Sequence, residues 1–194
     1  MRNHILNTLS DAQKALSQLK ENSAAIKAIE EAAAAIISSF ENSGRVFSCG
    51  NGGSMCDAIH FAEELSGRFR KNRKGLPAAA ISDPGYLSCV SNDFGYEDVF
   101  SRYVESHADK GDCLLGISTS GSSQNVIKAA LLAKEKGITV ITLTGKPDSH
   151  LSKIADIDIC TPGGEFADRS QELHIKVIHI LIELIERKLF PENY

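Results

Sequence analysis

Five short apolar runs, separated for most of the chain by stretches with helical spacing, constrain the fold more than any other feature of the sequence. The runs cover residues 46–49, 78–81, 113–117, 139–143 and 157–160. Helices are predicted between them at residues 54–66, 99–108 and 124–136, and a long final helix is predicted at residues 169–188. Because strands joined by helices run parallel, the sequence predicts an α/β fold with a doubly wound, five-stranded parallel sheet.

Residues 1–43 precede this alternation and read as N-terminal helices. Apolar residues recur at helical spacing from Leu6 to Leu19 and again from Ile26 to Ile37. These helices and the final one carry more apolar surface than one small sheet needs to bury, so we expect residues 1–43 to contribute to oligomerisation. Neither a linker nor a repeat divides the 194 residues, which predicts a single domain over residues 1–194.

Two loops rich in serine and glycine follow the first and third apolar runs and precede predicted helices. They read CGNGGS at residues 49–54 and STSGSS at residues 118–123. Glycines let backbone N–H groups approach an anion, and a helix N-terminus favours negative charge. Hydroxyls of Ser118, Thr119, Ser120 and Ser123 can complete such a cradle. Neither loop continues as Gly-Lys-Ser/Thr, which argues against a nucleoside triphosphate and favours another phosphorylated ligand.

The two loops are predicted to lie side by side at one edge of the sheet. Strand order does not follow uniquely from the sequence, but the flavodoxin-like order 2-1-3-4-5 is the common solution. In that order strands 1 and 3 are neighbours whose connections leave in opposite directions, and ligands bind in the crevice between them. The predicted crevice is therefore walled by the two serine- and glycine-rich loops.

Charge and composition narrow the class of protein. The net charge of −4 gives no case for nonspecific nucleic-acid binding, and a basic segment at residues 68–74 is interpreted as a solvated linker. No apolar stretch reaches membrane-spanning length, so neither a nucleic-acid nor a membrane partner is expected. Five cysteines without a Cys-x-x-Cys pair indicate reduced, structural thiols and predict a cytoplasmic protein.

Two polar groupings are candidates for chemistry. His60 and Glu64 are four residues apart on the helix after the first loop, so they can share a metal, act as acid and base, or form a surface hydrogen-bonded pair. Gln171 and His179 lie on broadly the same side of the final helix, where His179 can equally be a buried structural residue. Residues 92–95 have the composition of an ordinary polar turn.

Several motifs together resemble the sugar isomerase (SIS) domain of the bacterial phosphoheptose isomerases. They are CGNGGS at 49–54, DAIHFAEEL at 57–65, SNDFG at 91–95, LGISTSG at 115–121 and ADR at 167–169, followed by residues 171–179. The resemblance covers nearly the whole chain. It implies a cytoplasmic homotetramer with one zinc ion per subunit. The implied reaction converts sedoheptulose 7-phosphate into D-glycero-D-manno-heptose 7-phosphate, the first step toward the ADP-heptose used in lipopolysaccharide core.

The resemblance also implies roles for individual residues. Glu64 and His179 are the implied acid–base pair, and the implied zinc ligands are His60, Glu64, Gln171 and His179. The implied substrate contacts are Asn51, Gly52, Gly53, Asn92, Asp93, Ser118, Thr119, Ser120, Ser123, Asp168 and Gln171. Aldose–ketose isomerisation moves a proton between C1 and C2 through an enediol, which requires a base and a second acid–base group. We also expect His179 to enter a pocket whose Glu64 belongs to another subunit.

Two other functions remain open on the sequence. A noncatalytic SIS-domain protein that binds the replication initiator has the same domain and N-terminal helices, and residues 189–191 resemble that branch. Glu64 argues for the enzyme, because the binding branch lacks a carboxylate there. A sugar-phosphate-sensing regulator usually carries a DNA-binding domain, of which the sequence gives no sign.

Overall fold

The computed structural model, which describes residues 1–164 and 166–194, contains a sheet of five parallel strands. The strands are β1 (Val46–Gly50), β2 (Ala78–Ala80), β3 (Cys113–Ser118), β4 (Thr139–Thr144) and β5 (Ile157–Cys160). Their spatial order is β2-β1-β3-β4-β5, and every neighbouring pair is parallel. This confirms the predicted doubly wound α/β fold and its strand order.

Eight α-helices surround the sheet in the described residues. They are α1 (Arg2–Glu21), α2 (Ser23–Glu41), α3 (Gly53–Ser66), α4 (Pro84–Asp93), α5 (Val99–His107), α6 (Gln124–Glu135), α7 (His150–Ile154) and α8 (Ala167–Leu189). Single 3-10 turns at Tyr96–Asp98 and Pro191–Asn193 complete the chain. The two N-terminal helices separate at Asn22, whose side chain accepts a hydrogen bond from Ala25 N and so caps α2.

Each face of the sheet carries its own apolar core. Helices α2, α3 and α8 cover one face, with α1 adding only Ala15 and Leu19 to that core. Helices α4, α5, α6 and α7 cover the other face. The central strands β1 and β3 are buried along their whole length, as expected for parallel strands covered on both faces. This arrangement sets α3 and α8 side by side on the same face.

The structure differs from the sequence prediction in two short elements. The spacing of apolar residues does not predict α7, a five-residue helix capped by Ser149. Asn92 and Asp93, expected in a turn, instead form the last turn of α4, because Phe94 N and Gly95 N bond back to Val90 O and Ser91 O. The turn itself follows two residues later, where Gly95 takes a φ of 101°.

None of the helices in the described part of the chain combines the length and apolarity needed to cross a membrane.

Candidate active site

The loop after β3 brings serine hydroxyls together at the start of α6. The Oγ atom of Ser118, a buried residue, lies 2.9 Å from Ser123 Oγ and 3.4 Å from Ser120 Oγ. Ser123 occupies the N-cap position of α6, yet its side chain makes no capping hydrogen bond. A capping role therefore does not account for this hydroxyl, which faces the loop interior together with the first free amides of the helix.

The loop after β1 lies beside the serine loop because Gly50 pairs with Ile117 across the sheet. Gly52 takes a φ of 56°, and a Cβ there would meet open space. Asn51 and Asn125 exchange two amide hydrogen bonds, each 2.9 Å long. Asn125 is buried in the first turn of α6, so this pair joins the two loops across the predicted crevice.

Asn92 and Asp93 end helix α4, and neither lines one of the cavities found in the described residues. Both are exposed, and Asn92 Nδ2 donates to Asp93 Oδ1 over 2.9 Å. Tyr96, in the turn that follows, donates from its hydroxyl to Asn51 Oδ1 over 3.0 Å. The end of α4 is thus connected to the first loop through Tyr96.

Helices α3 and α8 bring two imidazoles and two carboxylates together. The Nε2 atoms of His60 and His179 lie 2.9 Å apart. Glu64 Oε1 lies 3.7 Å from the same His60 nitrogen, whereas Glu63 Oε1 lies 3.1 Å from the other nitrogen, Nδ1. A carboxylate at Nδ1 favours the tautomer protonated there, which leaves the His60 Nε2 lone pair facing His179 and Glu64.

Burial and neighbouring charges shift the pKa values of Glu64 and His179 in this site. Partial burial raises the pKa of Glu64, an effect that His60 opposes. Burial, together with His60, lowers the pKa of His179 and favours the neutral imidazole. A carboxylate with a raised pKa is a stronger base, and a neutral imidazole can accept a proton or bind a metal. One turn earlier on α3, burial raises the pKa of Asp57 to about 6.

The arrangement also fits a tetrahedral metal ion. Ligand atoms of His60, Glu63 and Glu64 lie within 4.8 Å of one another. Zinc–nitrogen bonds of about 2.0–2.1 Å place two tetrahedral nitrogens about 3.3 Å apart, close to the separation of the two facing imidazoles. Glu63 contacts the other His60 nitrogen, Nδ1, and so orients the His60 ring. The donors that could surround one metal ion are then His60 Nε2, Glu64 and His179.

Gln171 and Asp168 occupy the first two turns of α8. The Gln171 amide lies against Gly53 at the amino end of α3, where a Cβ would come within 2.5 Å of Gln171 Nε2. That approach is two turns of α3 before His60, and metal ligation by Gln171 remains a prediction. Asp168 is more than half exposed and pairs with Arg169, whose Nη2 lies 3.2 Å from Asp168 Oδ2.

Two neighbouring cavities border these residues. A cavity of about 150 Å³ is lined by Thr119, Ser120 and Lys146, and a second of about 410 Å³ by Asp168, Arg169 and residues of α1. Both share Gly163, Gly164 and Phe166. Among the described residues, neither cavity lining includes His60 or His179.

Four residues of this region make contacts that the sequence pattern did not predict. Glu63 is three residues from His60, a helical spacing that could have indicated it, while Asn125 and Tyr96 gave no signal of their contacts. Arg73 was placed in a solvated linker, and this interpretation is wrong because its side chain is 1% exposed and bonds to Glu186. The exposed Lys71 and Lys74 agree with the linker interpretation.

The expectation that His179 enters a pocket whose Glu64 belongs to another subunit stays a prediction, and the contacts within one chain bear on it. The contact between His60 and His179 forms within one chain, and Glu64 lies on the same helix as His60. A second subunit is therefore not needed to bring α8 to the carboxylate of α3. Burial raises the pKa of Cys49 to about 12 and that of Cys113 to about 11, which agrees with structural thiols.

Comparisons with known proteins agree on one family. Residues 9–145 match the SIS domain family model. The phosphoheptose isomerase of Proteus mirabilis is 58% identical over 185 residues, covering 95% of this chain and 96% of that protein. Solved phosphoheptose isomerases from Neisseria gonorrhoeae (33% identity, TM-score 0.88) and Francisella tularensis (32%, 0.89) each align with 95% of this chain, and with 98% and 97% of their own.

Proposed function

Because this chain belongs to the phosphoheptose isomerases of the SIS-domain family, we propose that it converts sedoheptulose 7-phosphate into D-glycero-D-manno-heptose 7-phosphate. The observation that carries this proposal is the His60–His179 contact beside Glu64, on helices that start at the same sheet edge as the serine loop. One end of the crevice suits a phosphate, and the other suits proton transfer.

Substrate binding is assigned to the hydroxyl loop and the first loop. Ser118, Thr119, Ser120 and Ser123 hold the phosphate, helped by the amides at the start of α6. The proposed contacts to the sugar are Asn51, Gly52, Gly53, Asn92, Asp93, Asp168 and Gln171. The Asn51–Asn125 pair keeps one of these contacts fixed relative to the phosphate loop.

Proton transfer is assigned to Glu64 and His179. The Glu64 carboxylate removes a proton from C1 of the open-chain ketose while the ring N–H of the neutral His179 imidazole gives its proton to O2, which yields the enediol. His179 then takes the proton from O1, and Glu64 returns its proton to C2, which gives the aldose. The raised pKa of Glu64 suits a group that must both accept and donate this proton.

The proposed metal is one zinc ion per subunit, held by His60, Glu64, His179 and Gln171. When bound, the ion would stabilise negative charge on the enediolate oxygens. Three of these donors meet at His60 Nε2, which supports the proposal. Glu63 keeps the His60 ring oriented whether or not a metal is bound.

Assembly and location complete the proposal. We propose a cytoplasmic homotetramer in which residues 1–43 contribute contacts, because Ile5, Leu6 and Leu9 of α1 expose half or more of their surface. All five cysteines are free thiols, which supports a reducing compartment. The proposed place of the reaction is the first step toward ADP-heptose for lipopolysaccharide core.

One assay tests the proposed reaction. Purified protein is incubated with sedoheptulose 7-phosphate, and the appearance of heptose 7-phosphate is followed by NMR. Absence of both product and solvent-deuterium incorporation at C1 or C2 would reject it. The noncatalytic alternative, an initiator-binding protein, predicts that result, but the carboxylate at Glu64 and the 58% identity to a phosphoheptose isomerase favour the enzyme.

A further inference from the structure

Arg73 makes an unusually complete set of contacts at the end of α3. Its Nη2 donates to Glu64 O over 2.7 Å, and its Nη1 donates to Leu65 O and Gly67 O over 2.8 and 2.7 Å. Its Nε donates to Glu186 Oε1 over 2.6 Å. A helix leaves its last carbonyls without intrahelical partners, and here one guanidinium satisfies three carbonyls in that region.

Glu186 connects this contact to α8. It lies seven residues after His179, two helical turns along, and therefore on the same side of α8. Its second oxygen accepts a hydrogen bond of 2.9 Å from the Tyr194 hydroxyl. The Arg73 and Glu186 side chains are each 1% exposed, so neither charge can be left alone without a large desolvation cost.

We propose that Arg73 and Glu186 are positioning residues for the imidazole–carboxylate site. The guanidinium holds the backbone of Glu64 itself, while Glu186 ties that point to the helix that carries His179. The separation of α3 and α8, and with it the His60–His179 contact, is then set by this buried pair. The inference deepens the proposed function and rests on it for its catalytic consequence.

The shape of arginine is essential to this role. A guanidinium presents five N–H donors in a rigid plane, whereas lysine offers three on one atom. Arg73→Lys keeps the charge but cannot reach three carbonyls and Glu186 together. Glu186→Gln keeps the shape and removes the charge. It is the second variant, which tests the proposal if the lysine variant does not fold.

A matched pair in the same region serves as the control. Arg70 Nη2 donates to Glu183 Oε2 over 2.8 Å, and this pair joins the same two segments one turn earlier on α8. The Arg70 side chain is about half exposed, 49% against 1% for Arg73. The control variants are Arg70→Lys and Glu183→Gln.

The first measurement is the imidazole ¹H–¹⁵N NMR spectrum of the full-length protein. The His60 and His179 signals are expected to shift in Arg73→Lys or Glu186→Gln and to shift clearly less in both controls, where Arg70 acts on His179 through its charge. Unchanged signals in a folded Arg73 or Glu186 variant would overturn the proposal. Equal shifts in the controls would also overturn it, because any ion pair between the segments would then suffice.

The second measurement is isomerase kinetics with sedoheptulose 7-phosphate. Misplacement of the reacting groups is expected to lower kcat by about 10- to 100-fold, with KM changed less than about twofold because the phosphate loop is untouched. If the Arg73 and Glu186 variants lose folding stability but keep the wild-type kcat, the pair has only a structural role and the proposal is overturned. Inactive wild-type protein would reject the proposed function, whereas the imidazole spectra would still decide the positioning role.

Discussion

His60 and His179 are separated by 119 residues in the chain, yet their Nε2 atoms lie 2.9 Å apart. The contact depends on α3 and α8 packing side by side on one face of the sheet. Glu64, one turn after His60, completes the group from which proton transfer is proposed.

Glu64→Gln is expected to lower kcat by about 10²- to 10⁴-fold, because the amide has the shape of the carboxylate but cannot act as a base. Deuterium exchange at C1 of the substrate should fall with it, and NMR in D₂O measures both. Glu105→Gln is the control, since it changes an exposed carboxylate on α5 that pairs with Arg102 and should retain exchange. Wild-type exchange in Glu64→Gln would show that another group is the base.

Ser120→Ala combined with Ser123→Ala is expected to weaken sugar-phosphate binding with little change in folding. Each lost hydrogen bond to a charged group costs about 1.5–3 kcal/mol, so the dissociation constant measured by calorimetry should rise steeply. Ser106→Ala, on the exposed surface of α5, is the control. Equal affinity in the double variant and the control would place the phosphate elsewhere.

Metal removal tests the zinc proposal. Treatment with a chelator is expected to lower activity, and added zinc should restore it, because three donors converge at His60 Nε2 but no tight four-thiolate cage is present in the described residues. His60→Gln should weaken zinc binding measured by a competing chromophoric chelator. His107→Gln, an exposed histidine stacked on Tyr103, should not. Constant activity through chelation and re-addition would contradict a metal role.

Mixed oligomers test whether each site belongs to one chain. Glu64→Gln and His179→Ala proteins are unfolded together and refolded together. Because the structure joins α3 and α8 within a chain, every subunit of a mixed oligomer carries one defect, and activity is expected to stay near that of the separate variants. Recovery of about a quarter or more of wild-type activity would place Glu64 and His179 of different subunits in one pocket.

His174 predicts a pH dependence of stability. It is fully buried, and burial lowers its pKa to about 4. Nε2 lies 3.2 Å from Thr144 O, and Nδ1, which must take the extra proton, is buried without a partner among the described residues. As the pH falls, the unfolded chain therefore binds this proton before the folded protein does. The contribution of His174 to folding stability is fully present above about pH 6.5 and is lost as the pH falls toward 4, by on the order of 3 kcal/mol.

The measurement is the urea unfolding free energy at several pH values between 4 and 7. The slope with pH, not the absolute value, is compared between wild type and His174→Gln, because the variant is less stable at every pH. Asp57, whose pKa is raised to about 6 by burial, contributes a slope of opposite sign in both proteins and cancels in the comparison. Equal slopes would show that His174 does not titrate as expected.

The hydroxyl loop was predictable because its signal is local. Residues 118–123 follow an apolar strand and precede a helix. Strand, turn and helix preferences each act over a few residues, so together they set where the hydroxyls of such a loop point. The pairing of Asn51 with Asn125 was not predictable, since an amide on one loop carries no mark of its partner on another. Register across the sheet decides which loop residues meet.

Arg73 shows why a charge run is a poor guide to environment. In sequence it is one of several basic residues between a helix and a strand, and the usual outcome for such residues is solvation. Its burial follows from the end of α3, where three carbonyls accept hydrogen bonds from its guanidinium, and from Glu186 on the packed face of α8. Neither condition exists until the two helices are in contact.

The sequence by itself determined the alternation of strands and helices, the parallel sheet and the two serine- and glycine-rich loops, because periodicity, turn chemistry and hydroxyl placement act over a few residues. Tertiary structure alone decided that His60 meets His179 within one chain, that Glu63 orients the His60 ring and that Arg73 is buried against Glu186. These contacts depend on how α3 and α8 pack on one face of the sheet. Core residues that are distant in sequence set that packing together, and no local segment encodes it.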